Sequence, residues 1–579
     1  MRPALNDPLV ETSCVSCGNC IDSCPTGALE AKMPFPGQAS LITSDVTSTC
    51  GFCSLGCTIT VKRLGENRYY IEPSGAPGEY LCHYGRFGSE LFIKQDRIAM
   101  SLVREEHQHK PVQLSTAIEK GVAGLRQVAA EHGAQSVAVF VSPELCNEEM
   151  YLAARIAREG LGTNNVGSLS NLGTGKDSGV LDSSFGFTAS TSDAGCLHDA
   201  DLIVCNNTMI EADHLVLAVD VIKAVKNGAK IIISNSTLDI SDNLLSGELV
   251  MDPMRGRAAL LWNGIIQLLL EDDFLAKEKV SKLTGYQEFM TGREFSLEQV
   301  ADQTGIEADQ IRKAAASISA AGKIVFIHSP DRLQDQSPSD MRTLANFVLL
   351  LRAVGVDAQL LLPRNNANSA GLEVNGADPA FLPGREAAEG LPGAASALEL
   401  RELLQQGTIK GALIIGEDPL SWNRTSGWFQ NLEFLVAMDW TDNETTHFAD
   451  VVLPGSTFLE TAGTRCNYLG EIEHFTEAIE PPAGFSGRDA LTDLATAFGI
   501  EDAAADADNL TELQLEKLGD MAAFYWNSGQ QRLVSVEREQ LVAVDSSVKS
   551  LPIQPPLTHA DRYKRELREI GTERFRVHQ

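Results

Sequence analysis

Eight of the twelve cysteines in this 579-residue chain fall into two tight sets. One is Cys50-Gly-Phe-Cys53-Ser-Leu-Gly-Cys57, answered by Cys82 in Leu-Cys82-His-Tyr-Gly-Arg-Phe-Gly. Each iron of a cubane takes one thiolate, so four cysteines spaced C-x2-C-x3-C-x24-C can close one [4Fe-4S] cluster. Three ligands come from one short loop and the fourth from a distance. Glycines 51, 56, 85 and 88 are expected to let backbone pass close to inorganic sulfide, where a Cβ would crowd it. His83, beside Cys82, is placed to hydrogen-bond the sulfurs, which raises a cluster's potential. A zinc ribbon is the rival reading, disfavoured by the long gap before Cys82.

The other set is Cys14-Val-Ser-Cys17-Gly-Asn-Cys20-Ile-Asp-Ser-Cys24-Pro25, the bacterial ferredoxin spacing C-x2-C-x2-C-x3-C-P. Zinc rarely takes four cysteines so closely spaced, and a disulfide framework needs an oxidising compartment. In two-cluster ferredoxins the fourth cysteine ligates the other cluster. By that rule Cys14, Cys17 and Cys20 hold one cluster and Cys24 serves a second, yet no second ferredoxin motif is present. A partner chain supplies the other half, or the sequence starts downstream of the unit's beginning, or Cys24 closes the same cubane locally. A split or truncated unit is the favoured reading. Cys146, Cys196, Cys205 and Cys466 are solitary and expected to be buried as small hydrophobes.

The elements that must position these sets begin with composition. Apolar content of 43% and charged content of 22% are those of a globular protein, and the length calls for several domains. With 47 basic and 78 acidic residues the net charge is −31, which disfavours nucleic acid, anionic membrane surfaces and acidic redox partners. No apolar run reaches the ~18 residues of a membrane span. Ala258–Leu270 is too short and carries Asn263 and Gln267. No signal-peptide layout or twin arginine opens the chain, so a cytoplasmic location is expected, free or peripheral to a membrane complex.

Thr58–Lys62 and Arg68–Ile71 read as a hairpin over the second cysteine loop. From about residue 115, short apolar runs read as buried parallel strands: 137–141, 202–204, 231–233, 324–327, 360–362, 413–415 and 434–438. Amphipathic helices are expected at 148–159, 214–226, 258–270 and 341–353. The alternation implies an α/β body, with binding at the carboxyl ends of strands. The polar turns after Cys205, Ser234 and Gly416 suit either a ligand or simple turning. No Walker-type, G-x-S-x-G or G-x-G-x-x-G sequence follows a strand, so nucleotide hydrolysis and nicotinamide binding have no support.

Both cysteine sets, followed in order by Cys146-Asn-Glu-Glu, Gly162-Thr-Asn-Asn165, Arg364-Asn-Asn-Ala-Asn-Ser-Ala-Gly371, Gly416-Glu-Asp-Pro419, Ala449-Asp-Val-Val-Leu-Pro454 and Gly463-Thr-Arg-Cys-Asn467, resemble the molybdopterin oxidoreductase family. The likeness is strongest to the branch of formate dehydrogenase catalytic subunits and the large iron–sulfur subunit of complex I, over roughly residues 10 to 500. It implies a ferredoxin-like segment at 1–46, a [4Fe-4S] domain at 47–103, a body of two interleaved lobes at 104–500 and a tail at 501–579.

Four departures accompany the resemblance. Formate dehydrogenases place a metal-binding cysteine or selenocysteine and a histidine where this chain has Gly173 and Thr174, while Ser168 and Ser170 are offset. Tyr84 stands where relatives carry the lysine that bridges cluster and pterin. Ser234-Asn-Ser-Thr replaces an Asp-Pro-Arg turn at the guanine end of the cofactor. The tail, ending in the basic Arg562-Tyr-Lys-Arg-Glu-Leu-Arg, resembles no part of the family's C-terminal β-barrel, which is expected to be lacking.

The resulting expectation is an electron-relay subunit of a multi-subunit oxidoreductase resembling NADH or formate dehydrogenases. Its clusters are held at Cys14/Cys17/Cys20/Cys24 and Cys50/Cys53/Cys57/Cys82. Tyr84 and His83 lie beside the second, no catalytic residue is assigned, and molybdopterin is expected to be absent. Partners would hold flavin and further iron–sulfur groups. The alternatives are a molybdenum or tungsten subunit oxidising formate or a similar small substrate, and a non-redox assembly scaffold.

Overall fold

Runs of β-branched residues form the centres of two parallel sheets. Val137–Val141 is buried along its whole length and pairs in parallel with Gly411–Ile415, which pairs with Phe434–Asp439. Strands covered on both faces need no polar alternation, so they read as unbroken apolar runs. Val451–Pro454 and Val166–Gly167 extend this sheet on either side, and the hairpin Ser101–Glu105/Gln108–Val112 adds two antiparallel strands to make seven. The second sheet has five parallel strands in the order Leu249–Met251, Lys230–Ser234, Leu202–Asn206, Lys323–His328, Asp357–Leu361. Residues 101–167 and 411–454 thus build one sheet, and the chain between them builds the other.

The computed structural model describes residues 17–26, 28, 44–63, 69–74, 80–89, 92, 96–169, 181–185, 189–234, 249–254, 256–291, 296–330, 338–422, 427–503 and 509–510. Cys14, Ser170, Gly173, Thr174, the turn after Ser234 and nearly all of the tail lie outside them. The expected helices run over Asn147–Arg155, Leu215–Lys226, Ala258–Glu271 and Pro338–Val354. The first continues as a π-helical turn, Ile156–Gly160. The strand expected at 360–362 starts earlier, at Asp357, and ends at Leu361, because Leu362 N–H turns away to donate to Ser190 Oγ at 2.8 Å.

Each sheet has its own core. Around the five-stranded sheet, the fully buried Trp262 packs on Phe326 and Phe347, each with ring centroids 6.3 Å away. Its indole Nε1 donates to Asn206 Oδ1 at 2.6 Å, at the carboxyl end of a central strand.

Ahead of the α/β body sits a small antiparallel sheet of β1 (Ser44–Thr49), β2 (Thr58–Arg63) and β3 (Tyr69–Pro73). The expected hairpin corresponds to β2 and β3, and β1 is an addition, since its sequence Ser-Asp-Val-Thr-Ser-Thr has little apolar alternation. Alternate residues Ile59, Val61, Tyr69 and Ile71 face one core. Two short helices complete this part: α1 (Asn19–Asp22) in the first cysteine set and α2 (His83–Phe87) after Cys82. The small sheet begins at Ser44 and the seven-stranded sheet takes in Ser101, so both sheets start a few residues before the segment boundaries expected at 47 and 104.

Candidate metal centre

The register Thr49↔Thr58 between β1 and β2 closes the loop that carries Cys50, Cys53 and Cys57. Cys50 N–H donates to Cys57 O at 2.9 Å across its neck. The loop's tip is fastened to the body: Arg364 N–H donates to Ser54 Oγ at 2.7 Å, and Tyr468 N–H donates to Ser54 O at 3.0 Å. Cys82 is the residue that precedes α2 and caps it. Cys50, Cys53, Cys57 and Cys82 line one cavity, together with Tyr84 and Asp213. Burial, with Cys82 and Cys53 close by, pushes the Cys50 thiol far above its ordinary range. Burial and then Cys50, Cys53 and Cys82 do the same to Cys57. Four converging thiols, of which Cys50 and Cys57 resist ionising alone, suit a metal, which deprotonates the thiols it coordinates. The donor set fits one cubane.

Tyr84 is almost wholly buried and belongs to the cavity wall, whereas His83 is half-buried, its ring tilted 44° against that of Tyr84 with centroids 4.0 Å apart. The four glycines also leave room for protein. A Cβ at Gly51 would overlap the Phe458 ring, one at Gly56 the Glu473 carboxylate, and one at Gly88 the Tyr84 carbonyl and then the Phe52 ring. Only at Gly85 is a cluster cysteine a near neighbour, with Cys50 Sγ 3.2 Å from the added carbon. Gly56 also has φ of +63°, which disfavours other residues. These positions admit protein side chains that wall in the loop.

The two cysteine sets meet at α2. A Cβ on Gly18, between Cys17 and Cys20, would stand 3.1 Å from Arg86 Nε and 3.4 Å from Phe87 Cζ. Cys17 packs against the same apolar core as Cys50. Arg86 is one helical turn from Cys82, about 6 Å along the axis. Cys20 lies on α1 and Cys24 just beyond it, with its Sγ 3.6 Å from Thr26 Oγ1.

The polar residues around the strand ends largely satisfy one another, Asn164 and Asn165 at the amino end of Val166–Gly167 and the others beyond carboxyl ends. Asn164 Nδ2 donates to Pro379 O and Ala394 O at 2.8 and 2.6 Å, and Asn165 Nδ2 to Gln135 O and Val137 O at 2.8 and 3.1 Å. Glu417 accepts from Ser168 Oγ at 2.8 Å and Leu169 N at 3.1 Å, and Asp418 accepts from Thr445 N and Oγ1 at 3.0 and 2.7 Å. In the five-stranded sheet, Asn207 Nδ2 donates to Asp340 and Thr208 Oγ1 meets Ser329 Oγ at 2.8 Å. Asn368 bridges Leu145 O, Asn147 Oδ1 and Cys466 N at 2.9, 3.0 and 2.8 Å. Cys146, Cys196, Cys205 and Cys466 are all buried, and burial pushes Cys466 and Cys205 up to about 12.

Between the cysteine loop and the ends of the seven-stranded sheet remains a space of about 50 Å³, bordered by Gly51, Ser142, Cys146, Glu149, Asp439 and Thr457. That volume admits a few waters, at about 10–15 Å³ each. Phe52, Phe92, Phe458 and Trp440 fill the region beside it, with neighbouring ring centroids 5.2–5.9 Å apart. Its walls carry Glu144, Glu149 and Asp439, and no lysine or arginine among the described residues. Burial raises Glu149 above the usual carboxylate range.

Two residues beside the loop went unassigned in the sequence. Arg465, 3% exposed, and Glu473 face each other across the hairpin Gly463–Cys466/Ile472–Phe475. Arg465 lies in the Gly-Thr-Arg-Cys-Asn motif, but nothing in that motif tells which way its side chain turns.

A parallel α/β body carrying a thiol-lined pocket, with a ferredoxin motif docked alongside, defines an iron–sulfur protein of the redox-enzyme class. Residues 97–485 match the molybdopterin oxidoreductase domain model and residues 8–30 the 4Fe-4S binding domain model. The chain belongs to the molybdopterin oxidoreductase family. It is 28% identical over 494 residues to the NADPH-Fe(3+) oxidoreductase subunit alpha of Geobacter sulfurreducens, covering 81% of this chain and 57% of that one. It is 25% identical over 475 residues to the putative formate dehydrogenase YrhE of Bacillus subtilis, covering 76% and 47%. The chain therefore spans about half the length of these curated relatives. Acetylene hydratase from Pelobacter acetylenicus shares the fold at a TM-score of 0.63 and 17% identity, over 89% of this chain and 79% of that one. Among the described residues no helix is long and apolar enough to cross a membrane.

Proposed function

We propose that the chain is an electron-carrying subunit of a multi-subunit oxidoreductase. In this reading Cys50, Cys53, Cys57 and Cys82 hold one [4Fe-4S] cluster, and Cys14, Cys17, Cys20 and Cys24 hold a second or share in two. Segments 1–46 and 47–103 are the redox portion, 104–500 the platform and 501–579 a tail for docking or solvation. The carrying observation is the contact of Gly18 with Arg86 and Phe87, which puts the ferredoxin motif on the helix that Cys82 caps. A bound cubane accepts and releases one electron at a time. The chain's own part is to fix the thiolates, keep water from Cys50, and dock the two sets on α2. Flavin and further iron–sulfur groups on partner chains, one of which completes the ferredoxin half, would supply and drain electrons.

The space at the strand ends does not suit a pterin dinucleotide. Its enclosed part is small, the volume beside it is filled by four aromatic rings, and among the described residues its wall offers carboxyl groups where phosphates would need cations. Ser168, the described hydroxyl near the family's metal position, is engaged by Glu417. These features support a relict cofactor site. The second reading, a molybdenum or tungsten subunit oxidising formate, draws on the family match and on the relative described as a putative formate dehydrogenase. Adding reductant to the protein purified with its partners without oxygen separates the two. Dithionite is expected to bring up iron–sulfur EPR signals and formate none. Clusters reduced by formate at a catalytic rate would overturn the relay reading.

A further inference from the structure

Arg465 and Cys50 are 415 residues apart in sequence, yet the guanidinium of the first is bound to the backbone of the second. Arg465 Nη1 donates to Cys50 O at 2.9 Å, and Nη2 lies 3.5 Å from Thr49 O. The guanidinium lies over the Phe475 ring, 4.4 Å from its centroid. With 3% exposure, it is screened by neither solvent nor salt. Its hydrogen bonds go to carbonyls, so the positive charge is held against the cluster loop without being neutralised by a carboxylate in direct contact. The facing charge is Glu473, whose Oε1 accepts from Asn467 Nδ2 at 2.8 Å and whose Oε2 is buried without a hydrogen bond. That carboxylate packs on Gly56, on the Cys57 side of the loop, while Arg465 packs on the Cys50 side.

We propose that Arg465 is the fixed positive charge that sets the potential of the Cys50/Cys53/Cys57/Cys82 cluster. The proposal rests on the ligand assignment above. A cluster gains one unit of negative charge when it takes an electron, and nothing else in the step changes. A buried cation a few ångströms from the loop stabilises that reduced form, since attraction is strong where water is excluded. Arg465 is thus a positioning and tuning residue. Its hydrogen bond to Cys50 O holds the charge at a fixed distance, and the Phe475 ring sets its plane.

The test is a redox titration followed by EPR, on the protein purified with its partners, comparing Arg465→Gln, Arg465→Lys and Cys53→Ser. Cys53→Ser identifies which signal belongs to this cluster. The glutamine variant keeps a donor and loses the charge, and its midpoint is expected to fall with iron content unchanged. The lysine variant, keeping the charge, is expected to stay near the parent. A midpoint that moves in neither variant, or equally in both, overturns the proposal, as does equal loss of the signal and its iron from both, which would make Arg465 a loop pin. If no signal is lost in Cys53→Ser, the ligand assignment fails, and the proposal with it.

Discussion

Cys53→Ser is expected to remove about four irons per chain, abolish one [4Fe-4S] EPR signal and stop electron transfer through the complex. The size of the effect follows from geometry. A cubane needs a thiolate at each corner, and three of the four here come from a loop whose ends are clamped by the Cys50–Cys57 hydrogen bond. Among the described residues no other cysteine lines that cavity, so none of them can substitute. The protein itself should survive the change. Cys53 is only partly buried, and the loop stays fastened at Ser54 through Arg364 and Tyr468. Thermal unfolding measured beside iron content distinguishes cluster loss from collapse. A folded variant with full iron and undiminished electron transfer would remove Cys53 from the ligand set and the cluster from the route.

The second large effect is on stability. Trp262→Ala is expected to destabilise the five-stranded region by about 3–5 kcal/mol through the cavity it leaves among Phe326 and Phe347. It also strips Asn206 Oδ1 of its 2.6 Å partner, adding about 1–3 kcal/mol for a buried acceptor left unpaired. Trp262→Phe keeps most of the volume and should cost mainly the second amount. A chain with several cores need not unfold in one step, so the quantity to compare is the shift of the first denaturant transition. Iron content should be kept by both variants in mild conditions, because this core is separate from the cysteine loop. A Trp262→Ala chain shifted by less than about 1 kcal/mol would contradict the packing described.

What could be read from sequence was what depends on near neighbours. The ligand spacings are local, and so are the apolar runs of the central strands. Val137–Val141 and Leu413–Ile415 are β-branched or leucine-rich enough to mark themselves. Strands at the edges were not legible, because β1 and the hairpin Ser101–Glu105/Gln108–Val112 carry polar residues and are strands only by virtue of what they pair with. The glycines of the cysteine loop were legible as tight spots but not in their purpose. Phe458 and Glu473, which occupy the space beside Gly51 and Gly56, arrive from some four hundred residues away. Arg465 is the same case. Its motif is visible, but its contact with Cys50 exists only once the hairpin lies along β1, where Thr49 Oγ1 donates to His474 O at 3.0 Å.

The strand ends teach a related lesson. Glu417 and Asp418 stand in the polar turn after the strand Gly411–Ile415, and sequence leaves open whether that turn meets a ligand or simply turns. Here Glu417 accepts from Ser168 and Leu169, and Asp418 accepts from Thr445. A buried polar group that already has its partners gains little from a ligand. Such self-satisfaction fits the platform role proposed above.

The central claim, an iron–sulfur carrier with a relict pterin site, is tested most directly by metal analysis. The protein, purified with its partners without oxygen, would be assayed for iron, molybdenum and tungsten per chain. The account expects several irons with neither molybdenum nor tungsten. One molybdenum or tungsten per chain would contradict it and make the space between Gly51 and Thr457 the place to look for a substrate.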